Sequence, residues 1–264
     1  MIDLIEFHIV EHCNLNCKGC IHFSPLAEKS CISIKTYKND VKKMASIFSG
    51  GIKEIHILGG EPLLHPELNK ILKITRKHFK NSEIKLISNG ILILSQKEIF
   101  WKTLKQNDIH LSVTEYPIGI DYQKISHLTK KYGIKYSFYA PSKKNAQWHF
   151  PIDLLGGQDE QYAFDNCRKG NNCTNINIID GKLFVCPIAS NIKYFNKFFN
   201  KDCKIGSKDY LKIKEIKNIE EINQFISKPT PFCRYCNIEK RTFDNKWEVT
   251  QKKIEEWIYA ECNN

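Results

Sequence analysis

Apolar and polar residues alternate along five short stretches in the first half of the chain, and this alternation predicts five β-strands. The stretches are IDLIEFHIV (2–10), KEIHILGG (53–60), SEIKLISNG (82–90), DIHLSVTEY (108–116) and GIKYSFYAP (133–141). Four segments between them repeat apolar residues at helical spacing: 33–48, 66–79, 95–106 and 121–132. Such regular alternation of strands and helices is typical of βαβ units around a parallel sheet.

The pattern is too short for a complete barrel. A closed (β/α)8 barrel takes about 250 residues, whereas the strand–helix alternation ends near residue 141 of 264. We therefore expect an α/β fold with a partial, TIM-like (β/α) barrel of about five to six parallel strands over residues 1–145. A small α+β domain is expected over 165–240, and the amphipathic stretch WEVTQKKIEEWIYAEC predicts a C-terminal helix over 245–262.

Polar side chains occupy alternate positions of the predicted strands. Because helices cover the outer face of such a sheet, the polar positions should face the barrel interior, and a polar interior predicts a ligand cavity. The candidate catalytic side chains on this face are Glu6, His8, His56, His110 and Thr114. For each of them, an ordinary strand-end residue is the alternative interpretation.

Eleven cysteines and a net charge of +11 change the picture further. There is no apolar run long enough for a transmembrane helix, and the N-terminus lacks the basic region of a signal peptide, so we expect a cytoplasmic protein without a membrane partner. Disulfides are rare in that compartment, so clustered thiols indicate zinc or iron–sulfur chemistry. The lysines are scattered and not interleaved with aromatic residues, so no nucleic-acid partner is expected.

Three of the thiols, Cys13, Cys17 and Cys20, follow the first predicted strand with the spacing C-x3-C-x2-C. A structural zinc site, which remains an alternative, is closed by four ligands. Three thiolates can instead hold three irons of a [4Fe–4S] cluster and leave the fourth iron open. Two further motifs follow the second and third strands on the same rim: Gly59-Gly60-Glu61-Pro62 and Ser88-Asn89-Gly90. Adjacent glycines allow a backbone to approach a ligand closely.

The motifs CNLNCKGC, GGEP and SNG, in this order at three strand ends, closely resemble those of the radical S-adenosylmethionine (radical SAM) superfamily. The resemblance implies that the three motif cysteines bind a [4Fe–4S] cluster whose open iron is chelated by S-adenosylmethionine. It also implies that GGEP, through its backbone and Glu61, contacts the methionyl ammonium. Ser88 and Asn89 would lie near the ribose, with Ser112 as a further candidate for the ribose or carboxylate. The residue before the third cysteine is usually bulky in this family but is glycine here, so His22 or Phe23 would have to stack on the adenine.

A second set of cysteines lies in the C-terminal half: Cys167, Cys173, Cys186, Cys233 and Cys236. Taken alone, these residues suit a zinc ribbon, and zinc remains an alternative. Beside a radical SAM domain they resemble the twitch form of the SPASM-type auxiliary domain, whose hairpin is matched by Gly181 and Cys186. This resemblance implies a second, auxiliary [4Fe–4S] cluster held by Cys186, Cys233, Cys236 and either Cys167, which we prefer, or Cys173. The remaining thiols, Cys31, Cys203 and Cys262, are expected to be ordinary free cysteines.

The resemblance implies reductive cleavage of S-adenosylmethionine to a 5′-deoxyadenosyl radical, which abstracts a substrate hydrogen. If the auxiliary cluster then accepts an electron, the substrate is oxidised; if a thiol returns a hydrogen atom, it is epimerised. The compact layout and polar interior favour a small hydroxylated substrate such as a sugar or cyclitol, with a flavodoxin or ferredoxin as the reducing partner. The alternatives are a peptide-modifying radical SAM maturase and a non-catalytic iron–sulfur electron-transfer module.

Overall fold

The computed structural model describes residues 2–49, 51–139, 147–169, 173–244 and 246–258. The strands in these ranges are β1 Leu4–Val10, β2 Glu54–Gly59, β3 Glu83–Ser88, β4 Ile109–Val113, β5 Tyr136–Phe138, β6 Gln147–His149, β7 Ile176–Ile179, β8 Lys182–Phe184, β9 Tyr210–Lys212 and β10 Thr242–Asp244. The α-helices are α1 Ile34–Ile47, α2 Leu68–His78, α3 Glu98–Gln106, α4 Tyr122–Tyr132, α5 Glu160–Phe164, α6 Pro187–Phe199 and α7 Ile219–Ile226. None of these helices is long and apolar enough to span a bilayer.

One sheet dominates the molecule, with the strand order β5-β4-β3-β2-β1-β7-β8-β9. The strands from β5 to β7 in this order all run parallel, whereas β8 and β9 are antiparallel additions at one edge. The five strands predicted from alternation all form, with their four intervening helices. The prediction of a partial barrel with five to six parallel strands is therefore confirmed.

The hairpin NINIIDGKLFVC, which we expected in a separate domain, belongs to the main sheet. Its first strand, β7, pairs with the free edge of β1, with Ile176 opposite Ile5 and Ile178 opposite Phe7. All four residues of β7 are buried, and this burial explains the pairing, because an isolated hairpin would leave its apolar positions in water. The predicted boundary between 1–145 and 165–240 therefore does not separate two sheets.

Helices α1 to α4 cover the outer face of the parallel strands. In α1 the buried positions include Tyr37, Val41 and Met44, which share one face at helical spacing. The Ser33 side chain caps this helix by accepting from the Thr36 amide. Apolar side chains from these helices and from the outward positions of the strands form the main core. This shell leaves the inner face of the sheet for the polar residues.

A second apolar core lies beside the cysteine-rich segments. It packs Phe23 of the N-terminal cysteine loop against Phe195 of α6 and against Trp257 near the C-terminus. The two ends of the chain are thus held together. Phe23 is buried among these rings, so the structure does not support its predicted stacking on an adenine.

The predicted C-terminal helix over 245–262 is wrong for the described residues 246–258, which contain only one turn of 3-10 helix, Ile254–Glu256. This segment instead pairs with the cysteine loop: the Lys18 amide donates to the Glu248 carbonyl at 3.0 Å, and the Thr250 amide donates to the Asn16 carbonyl at 2.9 Å. These distant backbone partners outweigh the local amphipathic pattern. Cys262 lies outside the described residues.

Candidate functional site

The loop that follows β1 carries Cys13, Cys17 and Cys20 and lines the mouth of a cavity inside the half-barrel. Burial raises the pKa of Cys13 and of Cys17 to about 12; Glu61 and Cys20 contribute to the increase at Cys13, and Cys20 and Cys13 contribute to the increase at Cys17. Burial also raises the pKa of Cys20. Three half-buried thiols close together in one loop fit a site that a multivalent cationic centre completes, because metal ligation stabilises the thiolates.

The two glycines after β2 are needed for packing against the cysteine loop. A Cβ atom on Gly60 would lie 2.0 Å from the His12 carbonyl oxygen, and one on Gly59 would lie 2.2 Å from the Val10 carbonyl oxygen. The Gly60 amide donates to that Val10 carbonyl at 2.6 Å. These glycines therefore let β2 and the base of the cysteine loop meet, while both also line the cavity.

Glu61 is directed into the protein and not into the cavity. Its side chain is fully buried, and its carboxylate accepts hydrogen bonds from the Ser88 hydroxyl at 2.9 Å, the Asn89 amide at 2.8 Å and the Leu63 amide at 3.0 Å. Burial raises the pKa of Glu61 to about 7, although these hydrogen bonds oppose the shift. In this geometry the carboxylate braces two rim loops against each other, and its contact with the methionyl ammonium stays a prediction.

The loop after β3 positions Asn89 beside the first cysteine. The Asn89 amide group donates to the Asn14 side-chain oxygen at 2.8 Å and to the Cys13 sulfur at 3.5 Å. Gly90 has a φ of +87°, a conformation that favours glycine. The cysteine loop, GGEP and SNG therefore form one connected rim, as their positions after parallel strands predict.

A cavity of about 430 Å³ lies beneath this rim, within the range of small-molecule sites. The predicted residues that line it are Cys13, Cys17, Cys20, His22, Gly59, Gly60, Ser88, Asn89, Glu6 and Thr114. The predicted residues that do not line this cavity are His8, His56, His110, Glu61, Pro62, Gly90 and Ser112.

His110 lies away from the rim. Its ring contacts Glu83 at 3.0 Å and Ser137 at 2.9 Å, and it lines a separate depression at the amino ends of the strands. His110 is the second residue of β4, so its position near the start of the strand already indicated that it would lie at the amino end of the sheet. Ser112, two residues later, is buried and lies 3.5 Å from the Ser137 hydroxyl.

A line of charged side chains crosses the barrel interior from the cavity floor. Glu6 lies 3.7 Å from Nδ1 of His56, whose Nε2 contacts Glu54, and Glu54 accepts from Lys85 at 2.7 Å. Burial opposes ionisation of Glu6, but the interaction with the neighbouring His56 and with other nearby histidines outweighs it and lowers the pKa of Glu6. Glu6 is therefore a carboxylate on the cavity floor.

His8 takes a supporting position beside this line. Its Nε2 lies 3.3 Å from the Asn177 side-chain oxygen, and its ring meets that of His22 edge-on. Burial lowers the pKa of His8 to about 3, with a further contribution from His22. His8 is therefore neutral and holds the neighbouring ring in place.

Several cavity residues were missed by the sequence patterns, among them Tyr116, Tyr139, Asn175 and Pro187. Asn175 donates to Glu6 at 2.9 Å and contacts Cys173. Asn175 directly precedes β7, and no pattern in the sequence indicated that β7 would pair with β1. Tyr116 ends the stretch DIHLSVTEY, so its place on the rim was available from the predicted end of the fourth strand.

A second cavity, of about 210 Å³, adjoins the first. It is lined by all five cysteines of the second set, Cys167, Cys173, Cys186, Cys233 and Cys236. Both cavities share Ile21, Asn175 and Pro187 as lining residues. Cys203 is buried in the second core and does not line either cavity.

The comparisons with known proteins agree with this geometry. A sequence profile of the Radical SAM superfamily matches residues 7–132. This part of the chain belongs to the radical SAM superfamily. Members of the superfamily use a [4Fe–4S] cluster together with S-adenosylmethionine, as the motif resemblance implied.

Curated relatives match the same N-terminal region. GTP 3′,8-cyclase of Aliarcobacter butzleri is 28% identical over 92 residues, 35% of this chain and 28% of the relative. The antilisterial bacteriocin subtilosin biosynthesis protein AlbA of Bacillus subtilis is 32% identical over 103 residues, 39% of this chain and 22% of the relative. The chain therefore spans about a quarter of the length of these relatives.

One solved structure resembles nearly the whole chain. BtrN, crystallised in complex with AdoMet and 2-DOIA, superimposes with a TM-score of 0.57 and 17% sequence identity, covering 90% of this chain and 93% of BtrN. At this identity the similarity shows a shared fold. It extends beyond the barrel into the region that carries the second set of cysteines.

Proposed function

We propose that this protein is a radical SAM oxidoreductase that acts on a small hydroxylated substrate of the sugar or cyclitol class. The observation that carries the proposal is the contact between the two cavities: a cysteine-rimmed cavity with a carboxylate floor adjoins a second cavity lined by five cysteines. Cys13, Cys17 and Cys20 would hold the cluster that binds S-adenosylmethionine, with Gly59, Gly60, Ser88 and Asn89 around the cosubstrate.

The second cavity is proposed to hold the auxiliary [4Fe–4S] cluster. Cys186, Cys233 and Cys236 are proposed to supply three ligands, and Cys167, which lines the same cavity and interacts electrostatically with all three, is the preferred fourth; burial, and then Cys167 among other neighbours, raises the pKa of each of the three. Burial is the largest cause of each increase. Cys173 instead contacts Asn175.

The donor geometry supports a cluster over a single zinc ion. Among the described residues, no three His, Cys, Asp or Glu side chains converge closely enough to hold one metal ion. A tetrahedral zinc site needs four sulfur or nitrogen atoms within about 2.3 Å of one point. A cubane of four irons takes thiolates that are further apart, which suits five cysteines spread around a cavity.

S-adenosylmethionine and the cluster, when bound at Cys13, Cys17 and Cys20, would supply the radical chemistry that removes a hydrogen atom from a substrate carbon. The residues of this chain bind and orient the substrate: Tyr139 and Asn175 offer hydrogen-bonding groups along the cavity wall. Glu6 is positioned to accept the proton of the substrate hydroxyl that becomes a carbonyl. This carboxylate on the cavity floor favours oxidation over epimerisation, which needs no proton acceptor at a hydroxyl group.

The relatives support this choice of substrate class to different degrees. The match to BtrN covers most of both chains, and BtrN was crystallised with a small molecule, 2-DOIA, beside AdoMet. The match to AlbA covers 22% of that protein, so a peptide-modifying maturase is the second candidate. A small acidic electron carrier of the flavodoxin or ferredoxin class is proposed as the reductant, because this chain carries a net charge of +11.

A substrate screen tests the proposal. Anaerobically reconstituted protein is incubated with S-adenosylmethionine, dithionite and one member of a panel of cyclitols, amino sugars, nucleotide sugars or peptides, and 5′-deoxyadenosine is measured. A cyclitol or sugar should increase 5′-deoxyadenosine and be converted to a carbonyl product. Stimulation by peptides alone would favour the maturase. A reconstituted chain that forms no 5′-deoxyadenosine under any condition would contradict the proposal and favour the electron-transfer alternative. Cys13→Ala is the matched negative control.

A further inference from the structure

An arginine with two buried side-chain nitrogens lies close to the five-cysteine cavity. Arg241 directly precedes β10, and because Thr242 of β10 pairs with His149 of β6, Arg241 comes to lie opposite Phe150. The Arg241 Cζ atom is 4.9 Å from the centroid of the Phe150 ring, and Phe150 lines the cavity. The arginine is therefore held against Phe150, a residue of the cavity wall, by its backbone pairing and by its stacking.

Two donors of this guanidinium have no acceptor. Nε and Nη2 of Arg241 are buried and make no hydrogen bond within the part of the chain that the structure describes. Arginine keeps its charge in proteins, so it cannot relieve this cost by losing a proton. Unsatisfied buried donors of a charged group are costly, and their presence indicates an anionic partner that the described part of the chain does not supply.

The position of Cys236 indicates which anion this is. Ile152, two residues after Phe150, forms a β-bridge with Cys236, so both ends of the turn that joins Cys236 to Arg241 are fixed to one segment. Within the described ranges, no carboxylate forms an ion pair with Arg241.

We propose that Arg241 donates its free N–H groups to the Cys236 thiolate and to the sulfides of the auxiliary iron–sulfur cluster, and thereby raises the reduction potential of that cluster. This inference rests on the proposed function, which puts the cluster in the second cavity. An added electron makes the cluster more negative, so a fixed positive charge and N–H donors stabilise the reduced form more than the oxidised form.

In the proposed reaction, the electron that reduces the auxiliary cluster comes from the substrate. Oxidation of an alcohol gives one hydrogen atom to the 5′-deoxyadenosyl radical, one proton to the Glu6 carboxylate and one electron to the oxidised auxiliary cluster. The bond order between carbon and oxygen rises by one in the product. A higher potential of the cluster makes the last transfer more favourable.

The experiment measures the potential of the auxiliary cluster in isolation. The full chain with Cys13→Ala, Cys17→Ala and Cys20→Ala is reconstituted anaerobically, and the remaining cluster is reduced stepwise and followed by electron paramagnetic resonance. In this background, Arg241→Gln should lower the midpoint potential by the equivalent of at least a tenfold change in the electron-transfer equilibrium, about 59 mV for one electron. Arg241→Lys keeps the charge but not the planar fork of N–H donors. Its midpoint potential should therefore lie between that of the chain with Arg241 and that of Arg241→Gln.

Lys240→Gln is the matched control, because it removes the same charge from the exposed neighbouring side chain. It should leave the potential unchanged. An unchanged potential in Arg241→Gln, or an equal change in Lys240→Gln, would overturn the assignment. So would loss of the cluster from a folded Arg241→Gln chain, since Arg241 would then serve assembly. A triple cysteine variant without iron would instead refute the proposed second cluster itself.

Discussion

The Glu61 carboxylate accepts a hydrogen bond from the Ser88 hydroxyl at 2.9 Å, and this contact ties the end of β2 to the end of β3. The same carboxylate accepts from the Asn89 amide, and the Asn89 side chain donates to the cysteine loop at Asn14. One buried acid therefore connects the three rim motifs. The rim is fixed by the chain itself, before any cosubstrate binds.

The buried position of Glu61 predicts a pH dependence of stability. Its pKa is raised from 4.5 to about 7 by burial, so between these pH values the folded chain binds more protons at this site than the unfolded chain. Stability from this group is therefore present below pH 4.5 and is lost as pH rises through about 7. Relative to Glu61→Gln, the wild-type chain should lose about 3 kcal/mol of unfolding free energy across this window.

Urea unfolding of the reduced, metal-free chain at several pH values measures this difference. Glu98→Gln, at an exposed position of α3, is the control and should show no comparable dependence on pH. The difference in unfolding free energy between wild type and Glu61→Gln could instead stay constant from pH 4.5 to 7. Glu61 would then ionise as readily in the folded chain as in the unfolded chain, and the bracing role would need another explanation.

Gly60→Ala should disrupt the rim more severely than an ordinary glycine substitution. The added Cβ would lie 2.0 Å from the His12 carbonyl oxygen, so the cysteine loop must move. Overpacking against backbone predicts a loss of about 3 kcal/mol or more and a chain that no longer cleaves S-adenosylmethionine. In Gly51→Ala, the nearest heavy atom would be 3.9 Å from the new Cβ, so this variant should unfold at nearly the wild-type urea concentration.

The strands and helices of the half-barrel were predictable because their signal is local. Alternation along β1 to β4 and the apolar spacing in α1 to α4 depend on residues within one element. The role of Gly59 and Gly60 was not predictable in this way, because the atoms that exclude a side chain belong to Val10 and His12, about fifty residues earlier in the chain. The GGEP motif could be identified from the sequence, but the close contact of its glycines with the cysteine loop could be seen only in the structure.

Trp257 anchors the C-terminal segment to the cysteine loop. Its ring is buried, it packs against Phe23 and Phe199, and its indole N–H donates to the Cys20 carbonyl at 3.0 Å. Trp257→Ala should cost about 3–5 kcal/mol and expose the first cluster. The iron–sulfur absorbance of the reconstituted variant should therefore bleach faster in air than that of Phe198→Ala, a change at a half-exposed ring. Equal bleaching rates would show that this segment does not shield the cluster.

Glu6→Gln separates hydrogen abstraction from oxidation. The variant keeps the shape of the cavity floor but lacks the carboxylate that would accept the hydroxyl proton. With the substrate that the screen identifies, 5′-deoxyadenosine should still form, while the carbonyl product falls about 100-fold or more. Glu83→Gln, at the opposite end of the charged line, is the control. Equal yields of carbonyl product in Glu6→Gln and wild type would remove Glu6 from the reaction.

The candidate site was predictable where a motif carries its own spacing and not where distant segments meet. The cysteines of both sets were visible in the sequence. Asn175 was missed because it reaches Glu6 only once β7 joins β1, and Arg241 was missed because its surroundings depend on the β6–β10 pairing. The C-terminal helix was predicted from a true amphipathic pattern, but pairing with the cysteine loop determines the backbone there.

The metal content of the anaerobically reconstituted chain tests the two-cluster account most directly. Wild type should bind about eight irons, as two [4Fe–4S] clusters. The Cys13→Ala, Cys17→Ala, Cys20→Ala variant should retain about four irons and lose cleavage of S-adenosylmethionine, whereas Cys233→Ala with Cys236→Ala should retain the other four and keep it. One tightly bound zinc beside about four irons in the wild-type chain would contradict the account.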